Sequence, residues 1–353
     1  MASELKVDNI SEKTSGNGIA LSNSLRLKSY TTSEINALTG MSAGDTVYDS
    51  DLGTIKLYNG TDWALMSPST FATTIDYLVV AGGGGSGVDN SAGLGYTGGS
   101  GAGGFLTSKD TQGRGIPAAS TPSYYIGDSF TITVGGGGAK ANKGNNSVFD
   151  NITALGGGFP SDSNSEKAGG CGAGASASSI DSTDIGGVGS HGYDGGDNNG
   201  ANGATGGGGG AGAAGGEPAN SSSQSGANGG IGAVTTILTA STASSALVGE
   251  VSSNIVYFSG GGAGSGASSQ GTGGLGGGGN TGSNSSGDAR TGGGCGGTYA
   301  TNVGGTGGSG VVIIRYPATT TLTTIDAGLT HNTYTEGDYK VTIFTAGTGS
   351  VTV

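Results

Sequence analysis

The residues that could do chemistry are few and scattered. Cys171 and Cys295 sit in matching surroundings, Gly169-Gly170-Cys171-Gly172 and Gly293-Gly294-Cys295-Gly296. Neighbouring glycine runs could bring them together as a disulfide, and the alternative is two small thiols buried among glycines. Asp194 and Asp197, within Tyr193-Asp194-Gly195-Gly196-Asp197-Asn198-Asn199, have the composition of a calcium-binding turn. One acidic turn offers too few fixed oxygen ligands, so the segment reads as a solvated loop and no metal is expected. Gly40-Met41-Ser42-Ala43-Gly44 fits G-x-S-x-G, but a nucleophile elbow needs a strand before it and a helix after it. Here a short helix comes first, and only His191 and His331 could serve as base, so the segment reads as a turn. G-x-G-x-x-G matches arise by chance in so glycine-rich a chain, and no P-loop Gly-Lys-Ser/Thr occurs. The expectation is a protein without catalytic residues or cofactors.

The elements that would position these residues are constrained by composition. The chain has 353 residues, of which 82 are Gly, 6 are Pro and 11% are charged. Such a bias favours disorder unless its arrangement supplies order. The arrangement does: apolar residues are gathered into short β-like runs that border the glycine blocks. The net charge of −12, from 13 basic and 25 acidic residues, comes with no basic cluster, which argues against nucleic-acid binding. No run of 18 apolar residues and no secretory leader is visible at residues 1–8, so neither membrane insertion nor a classical signal is expected.

Glycine divides the chain into three regions, with 72 of the 82 between residues 71 and 316. In the first, 1–70, alternation over 5–10 and 19–27 predicts strands, and Thr31 with Glu34 forms a capping box ahead of a short helix. Asp45-Thr46-Val47-Tyr48, 54–58 and 61–65, with Asn59-Gly60 as the hairpin signal, predict a β-meander. The middle region, 71–317, is bracketed by Ile75-Asp76-Tyr77-Leu78-Val79-Val80-Ala81 and Val311-Val312-Ile313-Ile314-Arg315-Tyr316. These nearly unbroken β-branched runs predict two strands buried on both faces and lying in one sheet. Further strands are expected over 129–134, 147–155 and 254–258, giving a loose repeat of strand, glycine run and polar loop. The third region, 318–353, alternates over 338–345 and resumes at 350–353, as a small C-terminal β-module would. The fold class is therefore mainly β: a small N-terminal β-module, a glycine-rich domain of short strands and polyglycine II-like helices, and a small C-terminal β-module.

Glycine has a physical role in such helices. A helix of three residues per turn makes no internal hydrogen bonds and turns its N–H and C=O groups outward, where neighbouring helices can satisfy them. That requires backbones nearly in contact, which a facing Cβ would prevent. Candidate runs are 82–87, 98–104, 135–138, 156–158, 169–174, 206–216, 260–266, 271–279, 292–297 and 304–310. The loops joining them, 89–97, 105–125, 159–168, 191–205, 280–291 and 298–303, are the expected binding surface. Tyr96, Phe105, Tyr124, Tyr125, Phe159, Tyr193 and Tyr299 lie in or beside these loops and are the candidate anchors. Each could instead cover the apolar ends of the lattice.

Two stretches of the first region, Leu5-Lys6-Val7-Asp8-Asn9-Ile10 and the segment from Gly44 to Trp63, resemble segments common in phage tail-fibre and other virion proteins. The bracketed middle region resembles the glycine-rich domains of phage tail fibres and adhesins. That resemblance implies a virion structural protein, outside the cell, whose loops recognise a host receptor or glycan. It also implies that the N-terminal region attaches to other virion proteins and that copies assemble, three chains commonly winding together. Alternatives are a capsid decoration or filament subunit without a receptor, and a surface-polysaccharide depolymerase, which should carry clustered carboxylates.

Overall fold

The computed structural model describes residues 27–66, 72–87, 95–161, 163–177, 184–199, 203–220, 222–282, 285–299 and 304–353. The strands expected over 5–10 and 19–27 fall, save for the last residue, outside these. The chain forms two compact units, Met1–Thr70 and Phe71–Val353.

The first unit carries a four-stranded sheet, Ser29–Tyr30, Thr46–Asp49, Thr54–Tyr58 and Trp63–Met66. The helix Thr32–Asn36 starts at the expected capping box, with the Thr31 side chain accepting from the Glu34 N–H and the Glu34 carboxylate from the Thr31 N–H. At the meander's hairpin the Asn59 Oδ1 accepts from the Thr61 and Asp62 N–H groups at 2.9 and 2.8 Å, which closes the turn and brings Tyr58 and Trp63 opposite each other.

In the second unit the bracketing strands, Asp76–Val80 and Val311–Pro317, pair antiparallel with Val311 opposite Val80 and Arg315 opposite Asp76. They are the middle of a five-stranded sheet ordered Thr330–Glu336, Tyr339–Ala346, Val311–Pro317, Asp76–Val80, Phe105–Thr107. Alternation sends Leu78, Val80, Val311 and Ile313 into one apolar core and Tyr77, Val79, Val312 and Ile314 into another. This is why 77–80 and 311–314 are apolar without a break, the charged Asp76 and Arg315 standing opposite each other at the end of the pair.

Each core is closed by a further layer. On one face lie the sheet of Ala233–Thr235, Ile255–Phe258 and Glu250–Ser252 and the helix Ala240–Ala246. On the other lies a sheet ordered Ile152–Ala154, Ser147–Phe149, Ser129–Thr133, Thr348–Thr352, Thr324–Ile325. The C-terminal segment, expected as a module of its own, is thus woven into the second unit: Tyr339–Ala346 pairs with Val311–Pro317 and Thr348–Thr352 with Ser129–Thr133. Among the described residues no helix is long and apolar enough to cross a membrane.

Candidate functional site: a glycine lattice and its capped end

Strands lead directly into the glycine runs, and the run 98–104 shows how these pack. Gly99 and Ala102 donate their N–H groups to Gly206 and Gly209, Ser100 and Gly103 to Cys295 and Gly292, and Gly101 and Gly104 to Gly158 and Leu155, all at 2.8–3.1 Å. Residues three apart therefore address the same neighbour, the signature of a helix with three residues per turn. Its carbonyls accept from three further runs: Gly99 and Ala102 from Gly174 and Cys171, Ser100 from Gly262, and Gly101 and Gly104 from Gly84 and Ala81. One backbone is thus bonded to six others, as a hexagonal polyglycine II-like lattice requires.

The packing explains the composition. A Cβ on Gly99 would fall on the Gly262 carbonyl oxygen, one on Gly101 on that of Cys171, and one on Gly208 on that of Ser100. Larger residues occur where the lattice leaves room: Ala102, Ala173, Ala175 and Ala263 are fully buried, and the Ser100 hydroxyl donates to the Gly85 carbonyl at 2.6 Å. Two expected runs are interrupted. The run 206–216 folds back, with Gly210 N–H donating to the Ala213 carbonyl at 2.9 Å. The run 271–279 turns at Gly276 and Gly277, whose φ of +102° and +86° are accessible to glycine, and the Glu250 carboxylate accepts both of their N–H groups at 2.6 and 3.0 Å.

Each helix end leaves backbone groups unpaired, and hydroxyls meet them at the end remote from the sheets. The Thr97 N–H donates to the Thr298 carbonyl, and the Thr298 N–H to the Thr97 hydroxyl at 2.8 Å. The Thr97 carbonyl accepts from the Thr205 and Ser265 hydroxyls at 3.0 and 2.8 Å. This buried collar was not foreseen, although its signal is in the sequence: Thr97, Thr205, Ser265 and Thr298 each abut a glycine run.

Above the collar Tyr96 and Tyr299 form a bridge and pack with ring centroids 5.0 Å apart, Tyr299 being 41% exposed. Burial, and then a side-chain hydrogen bond with the Tyr299 phenol, raise the Tyr96 pKa. Ala177 donates to the Tyr96 carbonyl, and Gly203 lies beside the Tyr96 ring. Ends of the loops 89–97, 191–205 and 298–303 therefore meet at one place. Residues 88–94, 178–183, 200–202 and 300–303 themselves lie outside the described residues.

The other expected anchors are placed differently. Phe105, Tyr124 and Phe159 are buried: Phe105 is a core strand residue, and Tyr124 packs on Phe130 at 4.9 Å. Phe105 and Tyr124 are core members and not surface anchors, because the short strands needed large side chains to close their cores, and Phe159 is buried beside the glycine run 156–158. Tyr125 is 44% exposed but belongs with the C terminus, its neighbour Gly127 donating to the Val353 carbonyl. Tyr193 lines an open cleft of about 520 Å³ with Asp110 and Tyr257.

The disulfide is also corrected. Cys171 and Cys295 are free, fully buried thiols. Their hydrogen-bond partners lie within the lattice, the Gly103 carbonyl for Cys171 and Ser285 for Cys295, and burial pushes both pKa values up. The acidic turn is structural. Asp194 accepts from the Gly189 N–H and pairs with Arg114 at 2.8 Å, and Asp197 accepts from the Gly186 N–H at 2.7 Å. Among the described residues no group of three or more metal-binding side chains occurs. Ser42 lies in a turn closed by Asp45, which accepts its N–H at 2.9 Å, and His191 is half-buried with Nδ1 accepting the Leu155 N–H. Burial lowers the His191 pKa, so its ring serves here as a neutral backbone cap.

A glycine-rich domain model matches residues 60–317, nearly the whole lattice and both bracketing strands. The chain belongs to the glycine-rich domain family. No curated protein and no solved structure matches it.

Proposed function

We propose that this glycine-rich chain is a virion structural protein, a tail-fibre or adhesin subunit, in which the lattice is a stiff stem and its capped end a surface for host recognition. The observation that carries this reading is the packed Tyr96–Tyr299 pair, Tyr96 half-buried and Tyr299 exposed, seated on a buried hydroxyl collar where several loop ends converge. A rigid support holding aromatic side chains outward suits recognition, since little ordering cost remains when a partner binds. The resemblance of the first region to virion proteins assigns it attachment to other virion components and assembly of copies. The partner would be a receptor or glycan of the host surface. An antibody against this chain, applied to purified particles, should label the tail; labelling confined to another part of the particle contradicts the proposal. In an adsorption assay, Tyr96→Ala combined with Tyr299→Ala should weaken binding about tenfold or more while leaving the fold intact.

A further inference from the structure

Sheets expose unpaired backbone groups at their edges, and folded proteins keep such edges short, charged, kinked or covered. In the second unit most edges obey this. Phe105–Thr107 and Ile152–Ala154 have three residues each, and Thr324–Ile325 has two. Thr330–Glu336 departs from the pattern: it is a seven-residue edge of the central sheet with no Pro or Lys, and Thr330, Asn332, Thr333 and Thr335 are exposed. Its irregularity is confined to the register shift between Thr330 and His331, and its one charge, Glu336, is held at the far end by Thr239. Among the described residues no strand lies on its outer side, while its inner side pairs with Tyr339–Ala346 down to Glu336 opposite Tyr339. The sheet behind it is rigid, since Val341, Ile343 and Phe344 are buried in the two cores.

From this edge we infer that Thr330–Glu336 pairs antiparallel with the same strand of a second copy of the chain, joining two central sheets into one across a two-fold axis. The strand is self-complementary. Centred on Thr333, the pairing sets Thr333 against itself, Asn332 against Tyr334, His331 against Thr335 and Thr330 against Glu336. No like charges meet, and the β-favouring Thr and Tyr residues face polar partners that tolerate an exposed position. A two-fold axis makes the contact isologous, so it closes at two copies and does not propagate. The contact is made by the second unit alone and does not depend on how the first unit assembles or on the function proposed above.

The test is site-directed cross-linking of the full chain under mild oxidation, read on a non-reducing gel, since the native thiols are buried. Thr333→Cys, which meets its own copy at the axis, should give a disulfide-linked dimer at concentrations where Asp338→Cys, in the exposed turn beyond the strand, stays largely monomeric. Thr333→Lys and Thr333→Glu should each weaken self-association in sedimentation, and an equimolar mixture of the two should restore it. Equal cross-linking at 333 and 338 would mean collision only and overturn the inference. Self-association unchanged by both charged variants, or weakened by each and not restored by the mixture while circular dichroism shows them folded, would also overturn it, leaving the edge to an extended segment of another protein.

Discussion

Gly101 donates its N–H to the carbonyl of Gly158 at 2.9 Å, joining two backbone runs that contain no secondary structure of the ordinary kinds. Each such bond is worth roughly 1 kcal/mol net, about what it costs to fix one residue's backbone. A lattice of this sort is therefore ordered only when almost every donor finds its acceptor, and the two apolar cores at its base supply the remaining driving force.

The first prediction follows from what a methyl group would meet. Gly101→Ala would put Cβ on the Cys171 carbonyl and should destabilise the second unit by about 2–4 kcal/mol, as overpacked sites do. Gly136→Ala, in the same domain, would meet only the Asn145 side-chain amide at an ordinary 3.5 Å and should change stability by no more than about 1 kcal/mol, in either direction. Denaturant titration of the two variants distinguishes them. Equal effects would mean that glycine is tolerated here and not required.

The cysteines give the second. Being buried with raised pKa values, Cys171 and Cys295 should resist alkylation in the native protein and both react once it is unfolded. Intact-mass measurement after labelling reads this, and a reducing agent should leave the thermal midpoint unchanged.

A third concerns acid. Asp49 is fully buried, which by itself would raise its pKa, but the Lys56 ammonium at 2.9 Å, the Thr32 hydroxyl and the Leu52 and Asp51 N–H groups outweigh this and hold it at about 2. A carboxyl whose pKa is lower folded than unfolded stabilises the fold above its unfolded value, and that contribution is lost as pH falls toward 2. The first unit should thus lose stability between about pH 4 and pH 2. Asp49→Asn should lower its thermal midpoint at neutral pH and flatten this acid dependence, as followed by NMR of the Asp49 carboxyl in the parent and by melting of the variant.

The collar supplies the fourth. Thr97→Val removes the acceptor of the Thr298 N–H, leaving a buried donor unsatisfied, and should cost about 1–3 kcal/mol. Faster hydrogen exchange should appear at Thr298 and its neighbours and leave the Asp76–Val80 strand protected.

Much of this architecture was legible in the residue pattern. The β-branched runs 75–81 and 311–316 announced strands buried on both faces, because alternation was missing where burial is two-sided. Thr31 and Glu34 announced the helix start, and Asn59-Gly60 the hairpin. What escaped was non-local. Ala233–Thr235 and Glu250–Ser252 are too short and too mixed in composition to stand out, and the helix Ala240–Ala246 is built of Ala, Ser and Thr. Thr330–Glu336 alternates in no apolar residue and owes its strand state to the neighbour it pairs with. The surface was legible only in part: Tyr96 and Tyr299 meet, whereas Phe105 and Tyr124 complete cores whose shape depends on strands far apart in the chain, and Phe159 is buried.

Residue-resolved amide hydrogen exchange across 98–104, 206–210 and 260–264 tests the lattice most directly. The N–H groups of Gly99, Gly101, Gly208 and Gly262, each bonded to a carbonyl of another run, should exchange as slowly as those of the Val311–Pro317 strand. Exchange at the rate of an unstructured peptide, with that strand still protected, would contradict the lattice and with it the stem it forms.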